Sequence, residues 1–330
     1  MKLTTIKSMN AIQPSWRIVR EWDEILASEL HLRLKSENKF TRFVKFNLIN
    51  KNGFANFVNK LVFKSNKLSL MYVMTAETRP TCFVNKNTIP VIIDFWLKES
   101  ELDDFYLAYK DVPLVLVTNL EVYRFLKEHR CPLNIEHWAL SYPDRYKVNK
   151  DNEKKYEFCV FGRPNPFFIR MLDKYASLHD DFTYIMNNGD IENRQYIDHR
   201  GNIVAKDTGR SSYLDMISKT KISCYTTPGI DEAKKESSCF NQVTPRLFEM
   251  LCNGCMVIGH YPDSDDTLWY NLKSIVPEVD SYEDFEKVLD DLRAKSFDYE
   301  KVSSFIKKHY TSARAKELMS ILNKYNISIN

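Results

Sequence analysis

The sequence lacks a long apolar run, a strong excess of either charge and the cysteine pattern of a disulfide-linked protein. No stretch approaches the roughly 18 apolar residues that span a bilayer, and the N-terminus has no apolar core typical of a secretion signal. Lys plus Arg is 47 and Asp plus Glu is 44, a balance too even for a nucleic-acid-binding protein. The seven scattered cysteines predict reduced thiols. We expect a globular cytoplasmic protein, with peripheral association at the inner membrane face left open by its mild basic excess.

Glycine is scarce in the first half of the chain. Of the eight glycines, only Gly53 precedes a polar stretch, DRYKVNKDNEKK, at 144–155. That stretch has neither helical nor strand periodicity and predicts a linker. Two domains are therefore expected, over 1–148 and 149–330, with a last helix near 313–330 that could pack on either. Because tight turns and close backbone approach to a ligand need glycine, glycine-dependent binding is expected in the second domain.

Short apolar runs alternate with helical patterns along both halves, which predicts α/β domains with parallel sheets flanked by helices. The predicted strands are 68–74, 89–95, 114–118, 156–162, 181–186, 221–226 and 255–259. The predicted helices of the second half are 166–177, 211–218, 245–253 and 281–292. In open parallel sheets, ligands bind beyond the carboxyl ends of the strands, so the loops there are the candidate binding loops.

The most informative segment is NQVTPRLFEMLCNGCMVIG at 241–259. Thr244 is a suitable helix N-cap and Pro245 a suitable first helical residue. Free N–H groups at such a helix start attract anions, and Arg246 adds a fixed positive charge suited to a diphosphate. Glu249 is placed to accept hydrogen bonds from ribose hydroxyls. The alternative interpretation is a surface ion pair between Arg246 and Glu249, three residues apart on a helix.

This segment resembles the hallmark of GT-B glycosyltransferases in the large "glycosyl transferases group one" assemblage, a Thr-Pro-Arg-x-x-Glu helix start followed by a turn into an apolar strand. VFGRPNPF and SYLDMISKTKISCYTTPG are also similar to parts of that family's donor domain. The resemblance extends from about 156 to 292. It implies two Rossmann-like domains, the first binding an acceptor and the second binding a nucleotide-sugar donor.

By this resemblance, the donor-binding residues can be assigned one by one. Glu249 would bind the donor ribose, and Arg246 with the Thr244 region would bind the diphosphate. Arg163 would reach the phosphates from the opposite loop, and Tyr213 would lie near the nucleotide.

One position departs from the family pattern. Many retaining members carry a second Glu eight residues before the ribose Glu, where this chain has Asn241. An amide can hydrogen-bond a sugar hydroxyl but supplies no negative charge, so retention or inversion stays open. An inverting enzyme needs a base, for which Asp94 and His137 are the candidates and Glu77 a third. The alternative for Asp94 and His137 is a structural role.

No catalytic metal and no cofactor is expected. Asp263-Ser-Asp265 has the D-x-D form but lies late in the chain, and Cys252-x-x-Cys255 lacks a second ligand pair at zinc spacing. The expected reaction is metal-independent transfer from a nucleoside-diphosphate sugar, UDP- or GDP-linked, to a glycan or lipid-linked acceptor in surface polysaccharide or lipopolysaccharide synthesis. The alternatives are a sugar-nucleotide epimerase or phosphorylase on this fold, and a non-catalytic nucleotide-sugar-binding subunit.

Overall fold

The computed structural model describes residues 1–8, 16–149, 151–190, 193–232 and 240–329. The chain forms two compact units. The first unit comprises Met1–Asp144, Asp231–Gln242 and His309–Asn330, and the second comprises Arg145–Ile230 and Val243–Lys308.

Strands and helices are numbered in chain order through the described residues. The strands are β1 (Lys2–Ser8), β2 (Arg33–Ser36), β3 (Lys67–Thr75), β4 (Thr88–Asp94), β5 (Val115–Val117), β6 (Ile135–His137), β7 (Tyr156–Val160), β8 (Tyr184–Asn187), β9 (Gln195–Asp198), β10 (Ile203–Lys206), β11 (Thr220–Thr226), β12 (Met256–His260) and β13 (Ser328–Ile329). The α-helices are α1 (Arg17–Glu29), α2 (Lys39–Phe43), α3 (Ala55–Leu61), α4 (Leu102–Tyr109), α5 (Leu120–Glu128), α6 (Pro166–Leu178), α7 (Arg210–Ser218), α8 (Pro245–Cys252), α9 (Asp265–Trp269), α10 (Tyr282–Ala294), α11 (Tyr299–Lys307) and α12 (Thr311–Lys324). A π-helical stretch, Val44–Asn50, directly continues α2.

The first unit contains a parallel sheet in the order β13-β1-β3-β4-β5-β6, with β2 also paired to β1. Its central strands β3 and β4 are the apolar runs recognised in the sequence, and their side chains are buried on both faces. Such continuous burial is expected for a parallel sheet covered by helices. The prediction of a parallel α/β unit is confirmed here.

The second unit contains a mixed sheet in the order β10-β9-β8-β7-β11-β12. Its four strands β8, β7, β11 and β12 are parallel, as predicted, while β9 and β10 extend one edge as an antiparallel hairpin that is absent from the predicted strands. Aromatic and aliphatic side chains from β7, α6, β11, β12 and α10 form one buried core. The sheet therefore holds the carboxyl ends of its parallel strands at one edge.

Candidate functional site

The candidate site lies at the carboxyl ends of the parallel strands of the second unit. Helices α6 and α9 start a few residues after β7 and β12, and α8 follows the long connection from β11. Because the carboxyl ends of parallel strands meet at the same edge of a sheet, these helices all begin at that edge. The chemistry-bearing residues of the second unit are therefore built around this edge.

The chain entering α8 is fixed by its neighbours. Val243 N–H donates to Asp266 Oδ2 at 2.6 Å, and Thr244 N–H donates to the Tyr225 hydroxyl at 2.9 Å. Thr244 stands at the N-cap position, as predicted, but its hydroxyl makes no capping bond, and Pro245 is the first helical residue. The start of α8 is thus held from β11 and from α9.

Glu249 is a nearly buried carboxylate, with 6% of the residue exposed, and both of its oxygens are bound within the second unit. Arg210 Nη1 lies 2.6 Å from Oε1, and the Tyr213 hydroxyl donates to Oε2 at 3.0 Å. Burial, and then the Glu249 charge, raise the pKa of Tyr213 well above its usual range, so the phenol stays protonated and donates. A carboxylate offers about four acceptor positions, and these two contacts use two of them.

Helix α7 carries both partners of Glu249. Arg210 and Tyr213 are three residues apart and therefore lie on one face of the helix. The preceding turn is fixed because the Ser212 hydroxyl accepts the N–H groups of Thr208 and Gly209, at 2.8 and 3.0 Å. A hydrogen-bonded turn therefore fixes the start of the helix, where Arg210 lies.

Arg246, one turn before Glu249 on α8, lies directly against the backbone of the loop that follows β7. A β-carbon added at Gly162 would come within 2.3 to 2.7 Å of three guanidinium atoms of Arg246, and Gly162 has a φ of +80°. Glycine adopts this conformation without strain and leaves room for the guanidinium at this position. Arg163 directly follows Gly162 and is exposed. The two predicted diphosphate-binding residues, Arg163 and Arg246, therefore belong to the loop after β7 and to the start of α8, which contact each other.

The two predicted base candidates belong to the first unit. Asp94 ends β4 and His137 ends β6, with only β5 between them, so their strand axes are about 10 Å apart. The backbone next to Asp94 has a further contact: Thr118 Oγ1 donates to the carbonyl of Ile93, the residue before Asp94, at 3.0 Å. The same Thr118 hydroxyl accepts from Gln242 Nε2 at 2.7 Å. Burial first, and then the charge of Arg314, lower the pKa of His137 to about 4. His137 is therefore a neutral imidazole at pH 7.

Asn241, at the position where many members of the family that the sequence resembles carry Glu, is counted with the first unit, whereas Thr244, Arg246 and Glu249 are counted with the second. Its backbone N–H donates to Glu121 Oε2 at 2.5 Å. The preceding Phe240 ring packs on Phe95 and Phe125, with centroid separations of 6.0 and 5.3 Å. Asn241 is thus held through its backbone by the helix that follows β5.

Arg210, Gly162 and Asp266 belong to the candidate site but are not among the residues predicted from the sequence. A signal existed for Arg210, which stands three residues before Tyr213 at a predicted helix start. Gly162 was noted only as the end of a strand, and its closeness to Arg246 joins residues 84 positions apart. Asp266 directly follows the D-x-D pattern and has no role predicted from the sequence, but it is fully buried and accepts the Val243 N–H.

The D-x-D and C-x-x-C residues lie in different surroundings in the structure. Asp263 pairs with Lys273 at the surface, and Cys252 and Cys255 are buried free thiols whose pKa values burial raises. Within the part of the chain that the structure describes, no three His, Cys, Asp or Glu side chains are grouped to hold a metal ion. Nor is any described helix long and apolar enough to cross a bilayer.

No protein-family model matches the sequence, and no curated protein sequence matches it. The fold, in contrast, is similar to solved structures. An OtsA apo structure aligns with a TM-score of 0.54 at 9% identity, covering 97% of this chain and 99% of that one. An alpha,alpha-trehalose-phosphate synthase (UDP-forming) from Burkholderia vietnamiensis aligns at 0.51 and 8% identity, covering 93% and 87%.

A chain of the GtfA/B complex aligns with a TM-score of 0.51 at 11% identity, covering 82% of this chain and 59% of its own length. This chain thus spans about three-fifths of the GtfA/B protein that it matches. With the two α/β units described above, these similarities establish the class: the chain has the GT-B glycosyltransferase fold, as its sequence resemblance implies.

Proposed function

We propose that the protein transfers a sugar from a nucleoside-diphosphate sugar to a hydroxyl group of a glycan or glycolipid acceptor. The observation that carries this proposal is the placement of Arg246 against Gly162, beside Arg163, at the start of α8. Two cations and a helix N-terminus at the carboxyl edge of a parallel sheet are suited to a diphosphate.

Each part of the donor would have its own partner. Arg246 and Arg163 would bind the diphosphate at the N-terminal end of α8, while Glu249 would accept hydrogen bonds from the ribose through the positions that Arg210 and Tyr213 leave open. A uridine nucleotide is supported by the UDP-forming trehalose-phosphate synthase, which has the same fold. A GDP-sugar is the alternative donor.

The same cations would promote the chemical step. Charge develops on the leaving diphosphate as the sugar–phosphate bond breaks, and fixed guanidinium groups stabilise that charge in the transition state. In an inverting reaction, Asp94 or the neutral imidazole of His137 would accept the acceptor's hydroxyl proton. We propose both as candidates, and the reaction requires no metal ion in this scheme.

The acceptor and location are also proposals. The family resemblance favours surface polysaccharide or lipopolysaccharide synthesis in the cytoplasm. The free thiols of the described cysteines are consistent with a reducing compartment.

The proposal is tested by thermal-shift titration with UDP, GDP and their common sugar conjugates. Ligand at about a hundred times its dissociation constant adds roughly 2.7 kcal/mol to the free energy of unfolding, a visible shift. Gly162→Ala should weaken nucleotide binding because the new methyl group displaces the Arg246 guanidinium. Arg246→Gln should weaken it by a similar factor.

Gly201→Ala is the matched control. Gly201 has a φ of +87°, so alanine at this position has backbone strain similar to that of alanine at position 162. No atom, however, lies within 4 Å of the β-carbon added at Gly201. This variant should bind nucleotide like the wild type. If no nucleotide shifts the folded wild type, the donor site proposal fails. Nucleotide binding without donor turnover, with or without acceptors, would favour a non-catalytic binding subunit.

A further inference from the structure

The segment 39–64, which contains α2, the π-helical stretch and α3, exposes an unusual amount of apolar surface. Of the sixteen exposed large apolar side chains among the described residues, half lie in this segment. They are Phe40, Phe43, Phe46, Leu48, Phe54, Phe57, Leu61 and Phe63. Phe40 is 77% exposed, Phe57 63% and Phe63 91%. We call this set of side chains the apolar face.

The segment is nevertheless attached to the first unit, through its polar groups. Asn50 Oδ1 accepts the Cys82 N–H at 3.0 Å, and Asn59 Nδ2 donates to the Thr81 carbonyl at 3.0 Å. The Phe63 carbonyl accepts a hydrogen bond from the Asn87 side chain at 2.7 Å. Asn50 and Asn59 thus contact the rest of the first unit while the phenylalanines face solvent, which is the reverse of the usual amphipathic arrangement.

The same segment is strongly basic. Residues 39–64 contain six Lys and Arg and no Asp or Glu, which leaves the other 304 residues with a net charge of −3. Lys39, Lys51, Lys60 and Lys64 are exposed. The nearest acidic partner described is Glu37, outside the segment, which pairs with Lys45. Exposed phenylalanine therefore alternates with exposed positive charge.

A cavity beside α3 is also lined by several positively charged side chains. It measures about 310 Å³ and is lined by Lys60, Lys86 and Lys110, with Asp111 as its acidic group. Two asparagines of α3, Asn56 and Asn59, also line it. An anionic headgroup has the charge and size that such a cavity would accept.

We propose that residues 39–64 dock the protein on an anionic lipid bilayer, with the apolar face inserted at the boundary of headgroups and acyl chains. Phenylalanine and leucine on one side of a helix, flanked by lysine, are typical of interfacial membrane helices. Each lysine or arginine near an anionic surface adds about 1 kcal/mol of attraction. The charge also argues against a second copy of the chain, because a twofold interface would bring two basic surfaces together.

Co-sedimentation with vesicles tests the inference without donor, acceptor or turnover, so its result is independent of the proposed transferase activity. We expect the protein to bind vesicles with about 30 mol % phosphatidylglycerol and not pure phosphatidylcholine vesicles at about 0.15 M salt. The triple variant Phe40→Ala/Phe57→Ala/Phe63→Ala should weaken binding on the order of 100-fold. Lys39→Gln/Lys51→Gln/Lys64→Gln should weaken it by a comparable factor.

The matched controls change other exposed apolar and lysine side chains, outside residues 39–64. Leu178→Ala/Ile203→Ala/Met319→Ala and Lys287→Gln/Lys307→Gln/Lys316→Gln should leave vesicle binding unchanged. Unchanged binding by the phenylalanine variant, or no binding by the wild type, would overturn the proposal. So would a concentration-dependent dimer that the phenylalanine variant loses, because it would assign the apolar face to a second copy.

Discussion

Glu249 depends on Arg210 for its charge compensation. The two side chains are only 8% and 10% exposed, and their closest atoms are 2.6 Å apart. Removing one member of a buried ion pair leaves an uncompensated charge and costs about 3–5 kcal/mol. We therefore expect Arg210→Gln to lower the free energy of unfolding by about 3 kcal/mol in urea titrations, near the lower end of that range.

The double variant Arg210→Gln/Glu249→Gln provides the control for this pair, because both charges are then absent. It should be more stable than Arg210→Gln alone, which gives a coupling energy between the two positions. Arg200→Gln removes an exposed arginine from the β9–β10 hairpin and should change stability by less than about 0.5 kcal/mol. Additive effects of Arg210→Gln and Glu249→Gln would show that the ion pair is not the source of the loss.

Asp23, on α1, predicts a pH dependence of stability. It is 1% exposed, and burial, opposed by the Ser8 hydroxyl, raises the pKa of its carboxyl to about 7. The unfolded chain titrates this group near 3.9. Between these two values the folded state binds the extra proton, so the contribution of Asp23 to stability falls as the pH rises from about 4 to 7 and is constant above.

Asp23→Asn should abolish the fall in folding stability that the Asp23 carboxyl causes between about pH 4 and 7. The stability of the variant minus that of the wild type should grow with pH through this window, by at most about 4 kcal/mol at pH 8. Because His137 and all other groups titrate in both proteins, the difference isolates Asp23. Asp104→Asn, which changes an exposed carboxylate on α4, is measured beside it as the control variant. A pH-independent difference for Asp23→Asn would contradict the prediction.

At the scale of elements, the position of α8 depends on Asp266 of α9. Asp266→Ala leaves the buried Val243 N–H without its 2.6 Å acceptor, which should cost about 1–3 kcal/mol of unfolding free energy. Because that N–H stands two residues before α8, nucleotide affinity should fall as well. The control is Asp263→Ala, which removes only an exposed pair with Lys273 and should alter neither quantity measurably. Loss of stability with full nucleotide affinity would separate Asp266 from the binding site.

The sequence predicts elements well where the signals are local. Pro245 and Gly254 bracket α8, and the structure starts the helix at Pro245 and gives Gly254 a φ of +71° just beyond its end. The β9–β10 hairpin was missed because its strands are only four residues each, although its turn contains Gly201. No helix or strand is predicted within 39–64, because periodicity arguments assume that large apolar residues face the core and here eight of them are exposed.

The candidate site was partly predictable for the same reason. Arg246, Glu249 and Tyr213 belong to a recognisable pattern, and the structure does bring Tyr213 to Glu249. The role of Arg210 as the counter-charge of Glu249 depends on how α7 packs beside α8, a tertiary relation without a local signal. The importance of Gly162 likewise depends on Arg246 of α8, which contacts the loop of Gly162 in space but is distant from it in the sequence.

At the scale of the whole molecule, the chain passes between its two units four times. The C-terminal part, from His309 onward, belongs to the first unit, where β13 pairs with β1. The Trp138 indole N–H donates to the Arg314 carbonyl of α12 at 2.9 Å. Helical periodicity identified α12 but left its packing partner open, because an amphipathic helix carries no information on which apolar surface it covers.

This assignment makes the stability of the first unit depend on α12. Leu318 is completely buried, whereas Met319, its neighbour on the same helix, is 40% exposed. Leu318→Ala should lower the free energy of unfolding of the first unit by about 2–5 kcal/mol, because it leaves a cavity. Met319→Ala should change it by less than about 0.5 kcal/mol, since both substitutions place alanine in a helix interior and differ only in burial.

Tryptophan fluorescence can follow the first unit alone. Four of the five tryptophans lie in Met1–Asp144 and only Trp269 lies in the second unit, so a Trp269→Phe background removes the signal of the second unit. In that background, the urea midpoint should fall for Leu318→Ala and stay in place for Met319→Ala. A fall of the midpoint in neither variant would mean that α12 does not stabilise the first unit. An equal fall in both would mean that the exposed face of α12 is as important as its buried face, which contradicts the packing described above.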